Sequence, residues 1–250
     1  MRLFCEPYNK EKAEEQLGLS IVTRFDMEAR PKRSSLKEVA TLIEEDFKKA
    51  ISYHSKSEIY RYTEDVVKAY LARLYFWTQN WEQAIPVAKE ILDAYPLVEG
   101  AVYTDMLSAR YAQQGNVLLR SYLLTSSSGD VNYNSAKGYL PVKPVSKRFI
   151  DLFEEKERDV RYAFSFNAKR EALKIPMACV RSAEMCLILA ESHAYLNQTK
   201  EALDYLNLLR SKRITGYTPY TMGNLPAVDE YALVRINAEG NAFTPLLWAI

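Results

Sequence analysis

Two stretches of the chain repeat one spacing of small and large apolar residues, and this repeat constrains the fold more than any other feature. Ala84 follows Ala72 by 12 positions, and Ala202 follows Ala190 by the same interval; a leucine precedes the first alanine of each pair. Apolar residues at helical intervals surround both pairs, and a polar turn lies inside each. Because small side chains let two helix backbones approach closely, the sequence predicts two helical hairpins, near 63–96 and 181–213.

Capping residues mark the helix boundaries in the first part of the chain. Ser35-Leu-Lys-Glu38 is a capping box, which satisfies free N–H groups at a helix N-terminus, and it predicts a helix over 33–52. Thr63 caps the next helix, Trp81 opens a third, and Pro96 ends it. Two separated hairpins are too few for a continuous stack, which usually needs about three repeats, so other residues must complete the packing.

The segment between the hairpins has a different character. Residues near 100–145 are predicted to form a loop-rich insert, because 125–139 is dense in serine, glycine and asparagine. Loops of this length are usually functional or disordered. A short amphipathic helix is predicted over 146–156 and a last helix over about 227–238. We expect all 250 residues to form a single helical domain.

Composition and motifs exclude several classes of function. The 33 basic and 32 acidic residues nearly cancel, which argues against a nucleic-acid partner. Only His54 and His193 could build a histidine-based metal site or catalytic triad; His193 is predicted to be a structural residue and His54 a surface residue. The runs of carboxylates are typical of solvated helix faces, and Arg181 and Glu184 are predicted to form an ion pair. We therefore expect no enzyme activity, no metal and no cofactor.

Neither the cysteines nor the apolar runs indicate a membrane span or a lipoprotein signal. Cys179 and Cys186 are predicted to be small core residues of one helix, seven positions apart. No run approaches the roughly 20 apolar residues that span a bilayer. Only four residues precede Cys5, fewer than the apolar stretch of a signal peptide requires, so the chain as written carries no lipoprotein signal.

Taken in order, the motifs resemble the SusD/RagB family of outer-membrane nutrient-binding lipoproteins, and the hairpins resemble tetratricopeptide repeats. Segments that carry the resemblance are 33–39, 61–63, 69–75, 80–84, 159–161, 174–176, 181–185, 189–191, 201–202 and 206–210.

The two ends of the chain depart from the family pattern. Family members usually begin with a lipoprotein signal and a longer helical region, and residues 2–23 resemble the end of that region. Glu239-Gly240 with Phe243 resembles an element near the family's C-terminus, but its surrounding charges are missing. The resemblance therefore predicts a chain truncated at both ends.

The resemblance implies a mainly α fold with tetratricopeptide-like repeats and long irregular loops. It implies a non-catalytic subunit at the outer-membrane surface that binds an oligosaccharide or polysaccharide. Such a subunit would deliver this ligand to a SusC-type TonB-dependent transporter. The alternative is a helical-repeat adaptor that binds protein, because stacked helical hairpins also build peptide-binding grooves.

Sugar-binding proteins of this kind place aromatic rings and amides on loops outside the repeats. On this basis the candidate glycan-binding residues are Tyr133, Tyr139, Asn132 and Asn134, together with Tyr217 and Tyr220. Each of these tyrosines could equally anchor a long loop. Trp77 and Trp81 lie at a hairpin turn, where an aromatic ring more often packs between helices, and they are not predicted to bind sugar.

Overall fold

The structure is a computed structural model that describes residues 5–56, 61–108, 117–120, 144–153, 155–171, 178–229 and 244–250. It is mostly helical, which confirms the predicted fold class. The elements in chain order are α1 (Leu36–Ile51), α2 (Glu64–Trp77), α3 (Trp81–Ala94), α4 (Gly100–Ser108), β1 (Val117–Arg120), α5 (Lys147–Asp151), a 3-10 helix (Lys156–Arg158), α6 (Val160–Ser165), β2 (Ala178–Arg181), α7 (Ser182–Tyr195), α8 (Thr199–Ser211) and α9 (Pro245–Ala249).

The predicted helix starts are confirmed atom by atom. Ser35 Oγ accepts a hydrogen bond from the Glu38 amide at 3.1 Å, and the Ser35 amide donates to Glu38 Oε2 at 2.8 Å. Both halves of the capping box are therefore present at the start of α1. Thr63 Oγ1 accepts from the Val66 amide at 3.4 Å and caps α2.

The two predicted hairpins, α2–α3 and α7–α8, close with the same turn. Gln79 and Asn197 occupy equivalent positions and both have a φ of 59°, in the left-handed region. The next residue in each turn donates its amide back into the preceding helix, from Asn80 to the Tyr75 carbonyl at 2.8 Å and from Gln198 to the His193 carbonyl at 2.9 Å. The sequence repeat is thus also a repeat of backbone geometry.

The hairpins pack directly on one another, although about a hundred residues separate them in the chain. Helix α3 lies against α7, and one apolar cluster contains residues of both hairpins. The alanines of the repeat lie where helices meet, and all are fully buried: Ala72, Ala84, Ala88, Ala190 and Ala202. The antiparallel pair of strands β1 and β2 completes this core with Leu118, Leu119 and Val180.

Enlarging one of these alanines should destabilise the fold. Ala88 of α3 is fully buried in the cluster, so Ala88→Leu would force extra atoms into a filled space. We expect a loss of about 1–3 kcal/mol in the free energy of unfolding, measured by urea denaturation. Ala94 of the same helix is exposed, and Ala94→Leu is the matched control. An equal effect of the two substitutions would show that close helix approach does not depend on the small residue.

Several details differ from the predictions. Cys179 lies in strand β2 and not on one helix with Cys186, because α7 begins only at Ser182; Cys186 is buried, as predicted. The segment near 100–145 contains helix α4 and strand β1, and residues 109–116 and 121–143 lie outside the described residues. The helix predicted over 146–156 ends at Asp151, and a 3-10 turn follows. Residues 227–229 are not helical, and the rest of that predicted helix is not described.

Candidate functional site

The described residues form a cleft of about 890 Å³ beside helix α8. Four parts of the chain build it: the region from α5 to α6, Leu187 of α7, helix α8 with the segment that follows it, and helix α9. Its volume falls in the range of small-ligand sites. The wall carries the rings of Phe153, Tyr220 and Trp248 beside a set of charged side chains.

Tyr220 is held in the wall by two side chains of α8. The Asn207 side-chain amide donates to the Tyr220 carbonyl at 2.9 Å and accepts from the Tyr220 amide at 2.7 Å. The Arg210 guanidinium lies over the Tyr220 ring, 3.7 Å from its centroid. The two hydrogen bonds of Asn207 involve only the backbone of residue 220, whereas the tyrosine ring packs against Arg210 and an apolar cluster of α8 and α9.

The other two rings come from distant parts of the chain. Trp248 belongs to α9, which Thr244 caps through a 3.2 Å hydrogen bond from the Leu247 amide. Leu246 fixes this helix by packing in a small apolar cluster with Ala202 and Leu206 of α8. Phe153 makes edge-to-face contacts with three other rings, at centroid distances of 5.5–5.9 Å: Phe149, Tyr162 and Phe166. These contacts fix the ring orientation.

The charged groups of the cleft are largely paired with one another. Asp159 holds Arg161 by three side-chain hydrogen bonds, the shortest being 2.6 Å from Nη2, and Lys147 pairs with Asp151 at 2.6 Å. Glu155 accepts from Arg158 at 3.0 Å and lies 3.5 Å from Arg210 Nη2. Paired carboxylates and guanidiniums still offer hydrogen bonds to a neutral ligand, although they present little net charge to it.

This arrangement can hold a polyhydroxylated ligand. Rings supply apolar faces for C–H groups, and the paired charges supply donors and acceptors for hydroxyls. Among the described residues, no cluster of histidine, cysteine and carboxylate side chains could hold a metal ion. Within the same residues, no helix combines the length and apolarity that crossing a membrane requires.

Known structures with a similar chain path include several SusD superfamily proteins. A SusD superfamily protein from Bacteroides thetaiotaomicron matches 84% of this chain and 54% of its own, with 20% identity and a TM-score of 0.70. A SusD-like carbohydrate binding protein from Bacteroides vulgatus matches 98% of this chain and 56% of its own, with 19% identity and a TM-score of 0.68. The chain has the SusD-like fold.

Further comparisons show how far the similarity extends in sequence and in chain length. Surface glycan-binding protein A from Bacteroides uniformis is similar over 82% of this chain and 56% of its own, with 13% identity and a TM-score of 0.59. A scan of protein-family models gives no match, and neither does a comparison with curated proteins. The chain spans a little over half the length of the SusD-like structures it matches.

Two of the six predicted ligand residues, Tyr217 and Tyr220, lie in the part of the chain that the structure describes. Tyr220 lines the cleft. Tyr217 is partly buried and is not among the residues that line it. The other four, Asn132, Tyr133, Asn134 and Tyr139, lie outside the described residues and remain predictions.

Sequence reasoning missed the other cleft residues. Arg210 lies in the last turn of α8, where a cation suits the helix dipole, and its guanidinium also stacks on Tyr220. Phe153 falls within the short amphipathic helix predicted over 146–156. The sequence signal that could have found Trp248 is the Thr244-Pro245 pair, because an N-cap residue followed by proline favours a helix start there.

The tryptophans of the first hairpin and the two histidines all contact neighbouring side chains; Trp81 and His193 pack within the fold and His54 lies at the surface, as predicted. Trp81 stacks on Tyr195 of the second hairpin at a centroid distance of 4.4 Å, and it joins the two hairpins. Trp77 is 37% exposed and lies 5.8 Å from the Arg73 guanidinium. His193 is buried and contacts Gln198 Oε1 through Nδ1 at 2.5 Å. His54 is exposed and contacts Glu64.

The predicted ion pair between Arg181 and Glu184 is wrong. Arg181 ends strand β2 in an extended conformation (φ −139°, ψ 151°), so the helical three-residue spacing does not apply to it. Arg73 of α2 binds both Glu184 carboxylate oxygens instead, with Nη2 2.5 Å from Oε2. The pair joins α2 to the first turn of α7 and therefore links the two hairpins of the SusD-like fold.

Proposed function

We propose that this chain is a non-catalytic, glycan-binding subunit of a carbohydrate uptake system at the outer-membrane surface. The observation that carries the proposal is the cleft lined by Phe153, Tyr220 and Trp248 in a chain with the SusD-like fold. Rings interleaved with paired charges suit a neutral sugar, whose ring has apolar faces and whose hydroxyls need hydrogen-bond partners. Two of the similar structures are named for carbohydrate or glycan binding, which supports the same ligand class.

A non-catalytic role is consistent with the paired carboxylates of the cleft. A glycosidase needs one carboxylic acid that gives up a proton and one carboxylate that acts as nucleophile or base. Asp151, Glu155 and Asp159 each bind a lysine or arginine of the same wall. These cations hold the carboxylates as hydrogen-bond acceptors, which is a role in binding rather than in proton transfer.

The partner in this proposal is a SusC-type TonB-dependent transporter, and its basis is the resemblance of the chain to the SusD/RagB family. A transporter gene beside the gene for this chain, and co-purification of the two products from the outer membrane, would support the partnership. The adaptor alternative has less support, because α3 and α7, which would line a groove between the hairpins, pack against each other.

Tyr220→Ala should weaken glycan binding at least about tenfold, because it removes a ring from the cleft wall. The two hydrogen bonds from Asn207 to the amide and carbonyl of residue 220 do not involve the ring and remain available in the variant. Affinity electrophoresis against a panel of neutral and acidic polysaccharides, followed by calorimetry on the best ligand, measures the change.

Tyr53→Ala is the matched control, because Tyr53 is 69% exposed and does not line the cleft. It should leave the affinity unchanged. Equal losses in the two variants, or a folded parent chain that binds none of the polysaccharides, would contradict the proposed function.

A further inference from the structure

A second, smaller pocket of about 220 Å³ lies next to the cleft and shares Arg161, Leu187 and Leu209 with it. Three arginines line this pocket, from three separate elements: Arg161 in α6, Arg181 at the end of β2, and Arg213 after α8. Such a concentration of guanidinium groups in one small pocket is the arrangement that recognises oxyanions.

Arg213 is the most informative of the three, because it is 3% exposed and only partly satisfied. Its Nη1 donates to the carbonyls of Val98 at 2.5 Å and Lys212 at 2.9 Å, and the Tyr103 ring lies 3.8 Å from the guanidinium carbon. Its Nη2 is buried without a hydrogen-bond partner among the described residues. Burying a cation with an unpaired N–H donor costs free energy unless a bound anion accepts a hydrogen bond from it.

The carboxylates near the pocket are already engaged elsewhere. Asp159 binds Arg161 through both oxygens, and Glu184, which also lines the pocket, binds Arg73 through both oxygens. In the described ranges, neither Arg181 nor Arg213 forms an ion pair. Burial, together with Arg161 and Arg181, lowers the pKa of Arg213, as expected for a cation that lacks a counter-ion.

The start of helix α7 adds to the positive character of the pocket. Ala183 and Glu184 of its first turn are lining residues, and the residue at the N-cap, Arg181, provides no side-chain cap. The N-terminus of a 14-residue helix carries a partial positive charge and favours a bound anion. One pocket is thus lined by the N-terminus of α7, by Arg181 and by Arg213, whose Nη2 has no hydrogen-bond partner among the described residues.

We propose that the pocket of Tyr103, Arg161, Arg181 and Arg213 binds a small oxyanion, namely a carboxylate or a sulfate ester carried by a sugar. The oxyanion chemistry follows from the arginines alone. That a sugar carries it rests on the proposed function, and on the position of the pocket beside the cleft, with Arg161 common to both walls.

Calorimetric titration of the intact chain with sodium sulfate, against sodium chloride of equal ionic strength, tests the oxyanion site. The parent should bind sulfate saturably, and Arg181→Gln should bind it at least about tenfold more weakly. Arg181 suits this test because it is partly exposed and Arg181→Gln removes no ion pair found among the described residues. Arg213→Gln, if it folds, should show the same loss.

Arg30→Gln is the control, since Arg30 is an exposed arginine outside the pocket. Sulfate binding that is absent in the parent, or equal in the parent and in Arg181→Gln, would overturn the proposal. Any general stabilisation by sulfate would affect all variants alike and would not produce the expected difference.

Three sugars identify the carrier of the oxyanion: sodium glucuronate, glucose 6-sulfate and glucose. Tighter binding of glucuronate or of the sulfate than of glucose, lost in Arg181→Gln, supports a carboxylate or a sulfate ester respectively. Equal binding of all three sugars would overturn the sugar part of the proposal. Tyr220→Ala should retain its affinity for inorganic sulfate, so failure of the proposed glycan function and failure of the oxyanion site give different results.

Discussion

Glu191→Gln should stabilise the protein by roughly 3 kcal/mol at about pH 8 and change its stability little at about pH 4. Glu191 lies in α7 and is largely buried, and among the described residues no donor or cation binds its carboxylate. Burial raises the pKa of Glu191 from its ordinary 4.5 to about 7. Burial and the charge of Glu191 also raise the pKa of Tyr195, one turn along the helix.

The direction of the pH dependence follows from these values. Below about pH 4.5 the carboxyl is protonated in the folded and the unfolded chain, and it makes no difference to stability. Between about pH 4.5 and 7 the unfolded chain loses the proton while the folded chain keeps it, so the free energy of unfolding falls as the pH rises. Above about pH 7 the full cost of a buried, unpaired carboxylate is present, and glutamine removes it.

Urea denaturation of both proteins across this pH range measures the effect. The difference between Glu191→Gln and the parent should increase from near zero at the acidic end to its full size at the basic end. Glu45→Gln is the control, because Glu45 is an exposed residue in the middle of α1 and its substitution should change stability by no more than about 0.5 kcal/mol. If the difference in the free energy of unfolding between Glu191→Gln and the parent does not vary with pH, the Glu191 carboxyl of the parent is solvated.

Local features of the fold were predictable because their causes are local. The capping box at Ser35, the cap at Thr63 and the polar turns of both hairpins act within a few residues, and the structure contains each of them. The small residues of the repeat were also predictable, since their burial follows from helix packing. The pair Arg73–Glu184 was not, because its members are 111 positions apart and no spacing rule connects them.

The candidate site was predictable only in part for the same reason. Tyr220 could be selected as an aromatic residue in an irregular segment after the second hairpin. Trp248 and Phe153 join it only because α9 and the region before α6 meet at α8 in three dimensions. Arg213 follows the end of α8, and its burial under Tyr103 of α4 depends on a contact between elements about a hundred residues apart.

The two hairpins share one core, so we expect them to unfold together. Leu71 and Leu189 occupy the same position in the two hairpins, and both are buried in a single apolar cluster that also includes residues of β1 and β2. The stacking of Trp81 on Tyr195 and the Arg73–Glu184 pair cross the same interface. Damage to the core in either hairpin should therefore be transmitted to the other.

Leu71→Ala and Leu189→Ala should each lower the free energy of unfolding by about 2–5 kcal/mol, because each removes a buried leucine side chain and leaves a cavity. In a chain of this size such a loss lowers the melting temperature by roughly 5–15 °C.

Two signals distinguish the hairpins. Circular dichroism reports on all helices, whereas tryptophan fluorescence in a Trp248→Phe background reports mainly on Trp77 and Trp81 at the turn of the first hairpin. Leu189→Ala lies in the second hairpin, yet it should shift both signals equally and preserve a single transition. Leu208→Ala, at an exposed position of α8, should shift neither signal appreciably. A fluorescence transition that Leu189→Ala leaves in place would show that the first hairpin folds without the second, and that contact between α3 and α7 does not make them one cooperative unit.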